Sequence, residues 1–126
     1  MIYGVGTDIV RVERVRCAYA RFGERFARRI LSDEELQELA RERFPEHFLA
    51  KRFAAKEAFS KAIGTGIRKP VTWRYICIGH DRRGKPEIHP HPALTDFMRA
   101  RGINGSYVSI SDEEHLAVAF VILEQR

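Results

Sequence analysis

The spacing of apolar residues changes along the chain between the two-residue period of strands and the 3.6-residue period of helices, which predicts a mixed α/β protein. Residues 2–10 (IYGVGTDIV) are rich in β-branched side chains and predict a strand. Over residues 11–30 apolar side chains recur every three or four positions, which predicts helix, and Gly23 is placed to divide it in two. The first quarter of the chain is therefore expected to be one strand followed by helix.

Two further helices are predicted from residues that typically begin or end helices, as well as from the spacing of apolar side chains. Ser32 and Glu35 form a capping box before DEELQELARERF, and Pro45 is expected to end that helix. A longer helix is predicted over residues 46–63, closing on glycine.

The second half of the chain predicts four strands and a short helix. The last strand, LAVAFVIL at 116–123, is apolar on both faces, which predicts a central place in a sheet with cover on each side. It is predicted to form a hairpin with residues 106–111 through DEEH. The other predicted elements are strands at 71–80 and 85–90 around the turn DRRG, and a helix from Pro92 closed by Gly102.

Composition favours one soluble domain over residues 1–126. The chain has 126 residues, of which 44% are hydrophobic, and so small a domain gains stability from forming an oligomer. No stretch approaches the roughly 18 apolar residues that cross a membrane, and no signal-peptide pattern opens the chain. Two cysteines without motif spacing are typical of reduced thiols, so we expect a cytoplasmic protein.

The net charge of +5 predicts acidic partners: nucleic acid, phosphorylated ligands or an acidic protein. Residues 11–30 contain seven arginines and two glutamates, whereas a merely solvated face would mix the two signs more evenly. Helical geometry places four of these arginines opposite the apolar stripe, which predicts a basic binding surface. The four are Arg14, Arg21, Arg25 and Arg28.

The helix at 46–63 carries charge in an apolar setting. Glu57 and Lys61 lie nearly opposite its core face, yet their neighbours there are small or apolar, which predicts cover on two sides. Two interpretations stay open. The residues form either an exposed i,i+4 pair worth about 0.3–0.5 kcal/mol or half of a site that handles phosphate.

Two shorter segments also allow two interpretations. The loop GTGI at 64–67 is either a helix C-cap or a backbone that a phosphate approaches closely. Asp8 is either a cap between strand and helix or a metal ligand beside glycines that leave room for a ligand or another backbone. Asp8 and Glu57, with water and phosphate oxygens, would suit Mg²⁺, but spacing alone does not bring them together.

The segments GVGTDIV and FLAKRFAAKEAFSKAIGTGI resemble holo-[acyl-carrier-protein] synthase, the small bacterial phosphopantetheinyl transferase. FARRILSDEEL, GKPEI and VSISDEEHLAVAFVIL extend the resemblance over nearly the whole chain, and the long helix with its glycine loop is the most specific part. The resemblance implies an α+β fold in which a small, mostly antiparallel sheet packs against a long central helix.

The resemblance also implies a reaction and its residues. The family transfers the 4′-phosphopantetheine arm of coenzyme A to a serine of acyl carrier protein in fatty acid biosynthesis, releasing adenosine 3′,5′-bisphosphate. The matching motifs imply that Asp8 and Glu57 bind Mg²⁺ and that Lys61 acts at the CoA pyrophosphate. Glu57 is also our choice for the group that accepts the serine proton, directly or through water. The remaining CoA contacts implied are Arg52, Gly64, Thr65 and Gly66.

The same resemblance implies partners and an assembly. The arginine surface would dock acidic acyl carrier protein. The chain would form a trimer with active sites at protomer interfaces, and this would account for the second covered face of the Glu57 helix. One position departs from the pattern: Tyr107 stands where many members have histidine, so no role of that histidine is carried over.

Two other classes of protein share some of these features. A nucleic-acid-binding module would use the arginine surface, but the chain lacks interleaved aromatic and basic residues and any groove-reading motif. A magnesium-dependent phosphohydrolase would share Asp8, Glu57 and Lys61, and would release phosphopantetheine from CoA without an acceptor protein.

Overall fold

Five strands and five helices make up the computed structural model, which describes residues 1–126. The strands are β1 (Ile2–Arg11), β2 (Ile76–His80), β3 (Pro86–Pro90), β4 (Ile103–Asp112) and β5 (Leu116–Gln125). The helices are α1 (Val12–Phe22), α2 (Glu24–Ile30), α3 (Asp33–Leu39), α4 (Pro45–Ile63) and α5 (Pro92–Ala100). None of these helices is long and apolar enough to cross a bilayer.

The main sheet has the strand order β1-β5-β4 and is antiparallel throughout. The apolar strand β5 is central, as its sequence predicts, and α4 packs against one face of the sheet. On the other face Val118 and Phe120 are 36% and 42% exposed. The predicted cover on this second face is therefore not supplied by the chain itself.

The long helix α4 is buried by its own chain on two sides. Its C-terminal half lies in a core with the main sheet and β2, and its N-terminal half lies in a second core with α1, α2 and α3. Ala50 and Ala54, the small residues near Glu57, are both fully buried within the chain. The cover predicted beside Glu57 is thus supplied by the chain itself at Ala50 and Ala54, whereas Phe53 is only partly buried and Gly64 is exposed. Cover by a second protomer stays a prediction.

Strand β1 and helix α4 are in backbone contact. A Cβ atom on Gly6 would lie 1.9 Å from the Ala58 carbonyl oxygen, and one on Gly4 would lie 1.9 Å from the Ala62 carbonyl oxygen. Any side chain at these positions would have to push the strand away from the helix. The room beside Asp8 that these glycines provide is thus filled by the α4 backbone.

The second sheet is the antiparallel hairpin β2–β3, and it begins later than predicted. The strand predicted from residue 71 starts at Ile76 because the Tyr75 and Ile76 amides both donate to the Thr72 carbonyl. Residues 73–75 therefore form a turn, which places the Trp73 side chain beside α4.

The helical segments also differ from prediction at their ends. Gly23, with φ of 56°, separates α1 from α2 as expected. The helix capped by Ser32 ends at Leu39, short of Pro45. Proline instead occupies the first turn of α4, where its missing N–H is not needed.

Candidate active site

Asp8 and Glu57 come from different elements and line one cavity. Asp8 lies on the face of β1 that packs against α4, and Glu57 lies on α4 itself. Both contribute to a cavity of about 400 Å³ between β1, the α1–α2 pair and α4. Arg14 and Phe53 line the same cavity. The fold thus brings together the two carboxylates that spacing alone could not connect.

Lys61 completes this cluster by binding Asp8. Its Nζ donates to Asp8 Oδ1 and to the Thr7 carbonyl oxygen, each at 3.0 Å. The Lys61 side chain is 54% exposed, against 16% for Asp8. The ammonium therefore lies where an anionic ligand can reach it. The simple i,i+4 pair between Glu57 and Lys61 is not formed, since Lys61 pairs with Asp8 instead.

Glu57 is held by a residue that the sequence analysis did not place in the site. The indole Nε1 of Trp73 donates to Glu57 Oε2 at 2.8 Å. The Trp73 ring packs against Phe53, with ring centroids 5.9 Å apart. Trp73 belongs to no motif, so the sequence does not indicate this contact. The contact forms because the turn at 73–75 places the indole beside α4.

The oxygens at the cavity fit a hard divalent cation. The lining residues include two carboxylates and neither a thiol nor an imidazole. Mg²⁺ characteristically takes one or two protein carboxylates and completes its coordination with water and substrate phosphates. No group of three or more His, Cys, Asp or Glu residues in the chain is placed to hold a metal. An ion here would thus depend on water and ligand oxygens for the rest of its coordination.

Arg52 does not join this cluster. Its guanidinium donates to Glu35 at 3.0 Å, to the Ile78 carbonyl at 3.2 Å and to Glu38 at 3.2 Å, and its side chain is only 5% exposed. Within the chain this guanidinium therefore connects α3, α4 and β2. Its contact with coenzyme A stays a prediction.

Lys56, directly before Glu57, was also missed as a structural element of the site. Its fully buried ammonium donates to Glu35, to the Ile30 carbonyl at 2.7 Å and to the Trp73 carbonyl at 2.8 Å. Burial lowers the pKa of Lys56 below its usual value, and the adjacent Glu35 opposes that effect. The only sequence signal was a lysine placed among alanines and phenylalanines in FAAKEAF.

The glycine loop ends α4 immediately beyond Lys61. Gly64 has φ of 88°, and the amides of Gly64 and Gly66 both donate to the Ser60 carbonyl. The Thr65 hydroxyl donates to the Gly66 carbonyl at 2.8 Å. The segment is thus a helix C-cap, the first of its two interpretations, and contact with a phosphate ligand stays a prediction.

The arginines of the predicted basic surface are all exposed, but they belong to two helices. The break at Gly23 means that one helical period does not run through residues 11–30, which is why Phe22 of the predicted apolar stripe is 49% exposed. Arg14 alone among the four lines the cavity with Asp8 and Glu57. The four positions are Arg14 and Arg21 on α1, and Arg25 and Arg28 on α2.

Tyr107 lies on β4, away from the two carboxylates. It is paired with Ile122 of β5 and is 51% exposed. Its hydroxyl donates to Glu124 Oε1 at 3.2 Å. Within the chain this residue is part of the sheet surface and not of the Asp8–Glu57 cavity.

The fold and the sequence match a known family. Residues 4–120 match the family model described as the 4′-phosphopantetheinyl transferase superfamily. The chain belongs to this superfamily. The resemblance drawn from the motifs is thereby confirmed, and so is the α+β fold that it implied.

Relatives in the superfamily match the chain over its length. A protein named holo-[acyl-carrier-protein] synthase from Nitrosomonas eutropha is 55% identical over 125 residues, covering 99% of this chain and 100% of that protein. The crystal structure of holo-[acyl-carrier-protein] synthase from Neisseria meningitidis has a TM-score of 0.97 at 52% identity, covering 99% and 100%. A Bacillus anthracis holo-(acyl-carrier-protein) synthase in complex with CoA (3′,5′-ADP) has a TM-score of 0.84 at 35% identity, covering 100% and 99%.

Proposed function

We propose that this chain transfers the 4′-phosphopantetheine group of coenzyme A to a serine hydroxyl of apo-acyl carrier protein, for fatty acid biosynthesis. The products are holo-acyl carrier protein and adenosine 3′,5′-bisphosphate. The observation that carries the proposal is that Asp8 and Glu57 line one cavity and Lys61 binds Asp8, in a fold that full-length relatives named for this activity share. Attack of a hydroxyl on a pyrophosphate needs positive charge at the phosphate oxygens and removal of a proton from a weak nucleophile.

Asp8 and Glu57 are the residues that would hold Mg²⁺. When bound, this ion supplies Lewis-acid charge and orients the pyrophosphate. Asp8 is fixed by the backbone contact of β1 with α4, and Glu57 is fixed by the Trp73 indole. The cavity is lined by two carboxylates and by no thiol or imidazole, which supports this assignment.

Lys61 and Glu57 take separate parts in the transfer. The half-exposed Lys61 ammonium binds pyrophosphate oxygens and stabilises the negative charge that develops on the leaving bisphosphate. Glu57 accepts the serine proton, directly or through a water molecule. The loop of Gly64, Thr65 and Gly66 borders CoA in this arrangement, because it extends the helix end that carries Lys61.

The arginine surface of α1 and α2 is the proposed docking site for acidic acyl carrier protein. Arg14 lines the cavity that contains both carboxylates, so a partner bound along α1 is brought next to them. Arg21, Arg25 and Arg28 extend the positive surface along both helices. Electrostatic attraction of this kind mainly speeds encounter and sets orientation. We expect the reaction to take place in the cytoplasm.

We further propose a homotrimer with active sites at the protomer interfaces. The support is the outer face of the main sheet, where apolar side chains of neighbouring strands stand exposed in a single chain. An exposed apolar sheet face of this kind is typical of a surface that binds another protein. The exposed residues are Val5 and Ile9 on β1, Val118 and Phe120 on β5, and Tyr107 on β4.

The test is intact mass spectrometry of purified apo-acyl carrier protein after incubation with this chain, CoA and Mg²⁺. We expect the carrier to gain the mass of one phosphopantetheine arm. The gain should disappear with EDTA and with Glu57→Ala, while the Glu46→Ala variant, at the far end of α4, should behave as wild type.

The alternatives give different results in the same assay. Release of free phosphopantetheine without modification of any carrier would identify a phosphohydrolase. Binding to generic DNA or RNA with a steep dependence on salt, and no transfer, would favour the nucleic-acid module.

A further inference from the structure

Trp73 is the single tryptophan of the chain, and it contacts the candidate site from behind the cavity. Its Nε1 lies 2.8 Å from Glu57 Oε2. Its ring packs against Phe53, which itself lines the cavity, and the Arg29 guanidinium lies 5.9 Å from the ring centroid. The indole is thus held between α2 and α4, with its one polar atom directed at Glu57.

The backbone of Trp73 is fixed by the residue next to Glu57. Lys56 Nζ donates to the Trp73 carbonyl oxygen at 2.8 Å and is anchored in turn by Glu35. Because Lys56 is fully buried, this contact is shielded from solvent. Helix α4 therefore binds the main chain of Trp73 through Lys56 and its side chain through Glu57.

We propose that Trp73 is a positioning residue that orients the Glu57 carboxylate for binding a divalent cation. The inference rests on the proposed function, in which Glu57 is a metal ligand. An indole N–H is a donor only, so it can bind one carboxylate oxygen and leaves the other for the ion. Contacts that orient a metal-binding carboxylate in this way typically change metal affinity about 10–100-fold when they are lost.

The decisive variant is Trp73→Phe, which keeps an aromatic ring against Phe53 and the backbone bond to Lys56 but removes the N–H. Its matched control is Tyr75→Phe, two residues away, where the ring stacks on His91 and not on the site. Mn²⁺ binding would be measured in the presence of CoA by the electron paramagnetic resonance signal of the free ion. The Mg²⁺ dependence of carrier-protein modification would be measured in parallel.

We expect Trp73→Phe to weaken Mn²⁺ binding about tenfold or more and to raise the Mg²⁺ concentration for half-maximal rate by a similar factor. The rate at saturating Mg²⁺ should fall much less, which separates positioning from loss of fold. Tyr75→Phe should stay within about twofold of wild type in both measurements. An Mn²⁺ affinity of Trp73→Phe within twofold of wild type would overturn the inference and leave the transferase function intact.

A second measurement uses the native chain and does not depend on how the variant folds. Because Trp73 is the only tryptophan, its fluorescence reports on the Glu57 contact directly. Adding Mg²⁺ with CoA should change the emission of wild type and leave that of Glu57→Gln unchanged. Constant emission in an active wild-type enzyme at saturating Mg²⁺ would contradict the proposal. Failure of the wild type both to bind Mn²⁺ and to modify the carrier would instead overturn the proposed function, and the inference with it.

Discussion

Helix α4 contributes to two charged clusters, each of which pairs a carboxylate with a lysine, and they differ in how many protein donors bind the carboxylate oxygens. The first is centred on Glu35, whose side chain is fully buried. Both of its oxygens accept hydrogen bonds, and all four donors belong to the protein. These donors are Lys56, Arg52 and the amides of Ser32 and Ile78.

The second cluster contains Asp8 and Glu57, which are only partly buried at the edge of a cavity. Each carboxylate accepts one hydrogen bond from a side chain, Asp8 from Lys61 and Glu57 from Trp73. The carboxylate oxygens that accept no hydrogen bond from the protein are therefore available to a ligand. Lys56 and Glu57 are consecutive residues, yet one belongs to each cluster. Residue type alone does not distinguish the two clusters, whereas the number of protein donors per carboxylate oxygen does.

The largest effect on stability is expected for Glu35→Ala. The change leaves the Lys56 ammonium and the Arg52 guanidinium buried without their shared carboxylate, and breaking a buried pair in this way costs about 3–5 kcal/mol. Urea denaturation should show a free energy of unfolding lower by this amount. At saturating Mg²⁺ the transfer rate per folded molecule should change little, because Glu35 does not line the Asp8–Glu57 cavity.

The matched control is Glu38→Ala, because Glu38 binds the same Arg52 but is 36% exposed. We expect it to lower the free energy of unfolding by less than about 1 kcal/mol. Equal losses in the two variants would show that burial does not distinguish these carboxylates.

Asp8→Asn should have the opposite profile. We expect the rate of transfer to fall about 100-fold or more, which corresponds to about 2.7 kcal/mol of transition-state stabilisation. The melting temperature should hold or rise slightly, since one of two carboxylates at the cavity is neutralised and the exposed Lys61 loses only a weak pair. Steady-state kinetics and thermal unfolding would be measured on the same preparation. A large loss of stability in Asp8→Asn would show that the Asp8–Glu57 cluster stabilises the fold in the same way as the Glu35 cluster.

A smaller effect is expected from reversing charge on the docking surface. Arg14→Glu with Arg25→Glu should raise KM for acyl carrier protein about tenfold and leave KM for CoA unchanged. The control is Arg99→Glu with Arg101→Glu, the same change of charge at the end of α5. The increase in KM should shrink at high salt, because ions screen exposed charges. An unchanged KM for the carrier would remove α1 and α2 from the docking model.

Much of the fold could be predicted because its strongest elements have clear periods. Strand β1, helix α4 and the central place of β5 follow from β-branched, helical and fully apolar patterns. The turn at 73–75 could not be predicted, since an apolar segment gives no sign that the Thr72 carbonyl will accept two amides.

Some residues of the candidate site could be predicted from the sequence and others could not. Asp8, Glu57 and Lys61 could be named from motifs, and the fold brings them together. The ion pair of Arg52 could not be predicted, because its buried partner Glu35 lies 17 residues earlier, beyond any local pattern. Trp73 was missed because its contact with Glu57 exists only once the turn has formed.

The backbone contact at Gly6 determines more than the closeness of strand and helix. Since a Cβ there would lie 1.9 Å from the Ala58 carbonyl oxygen, main-chain atoms and not side-chain packing set the distance between β1 and α4. Asp8 and Glu57 are carried on these elements, so the separation of their backbones is a property of the main chain. Repacking the core should therefore change stability before it changes that separation. In the proposed Mg²⁺ site, the register of one strand against one helix would therefore help to decide between Mg²⁺ and a larger ion such as Ca²⁺.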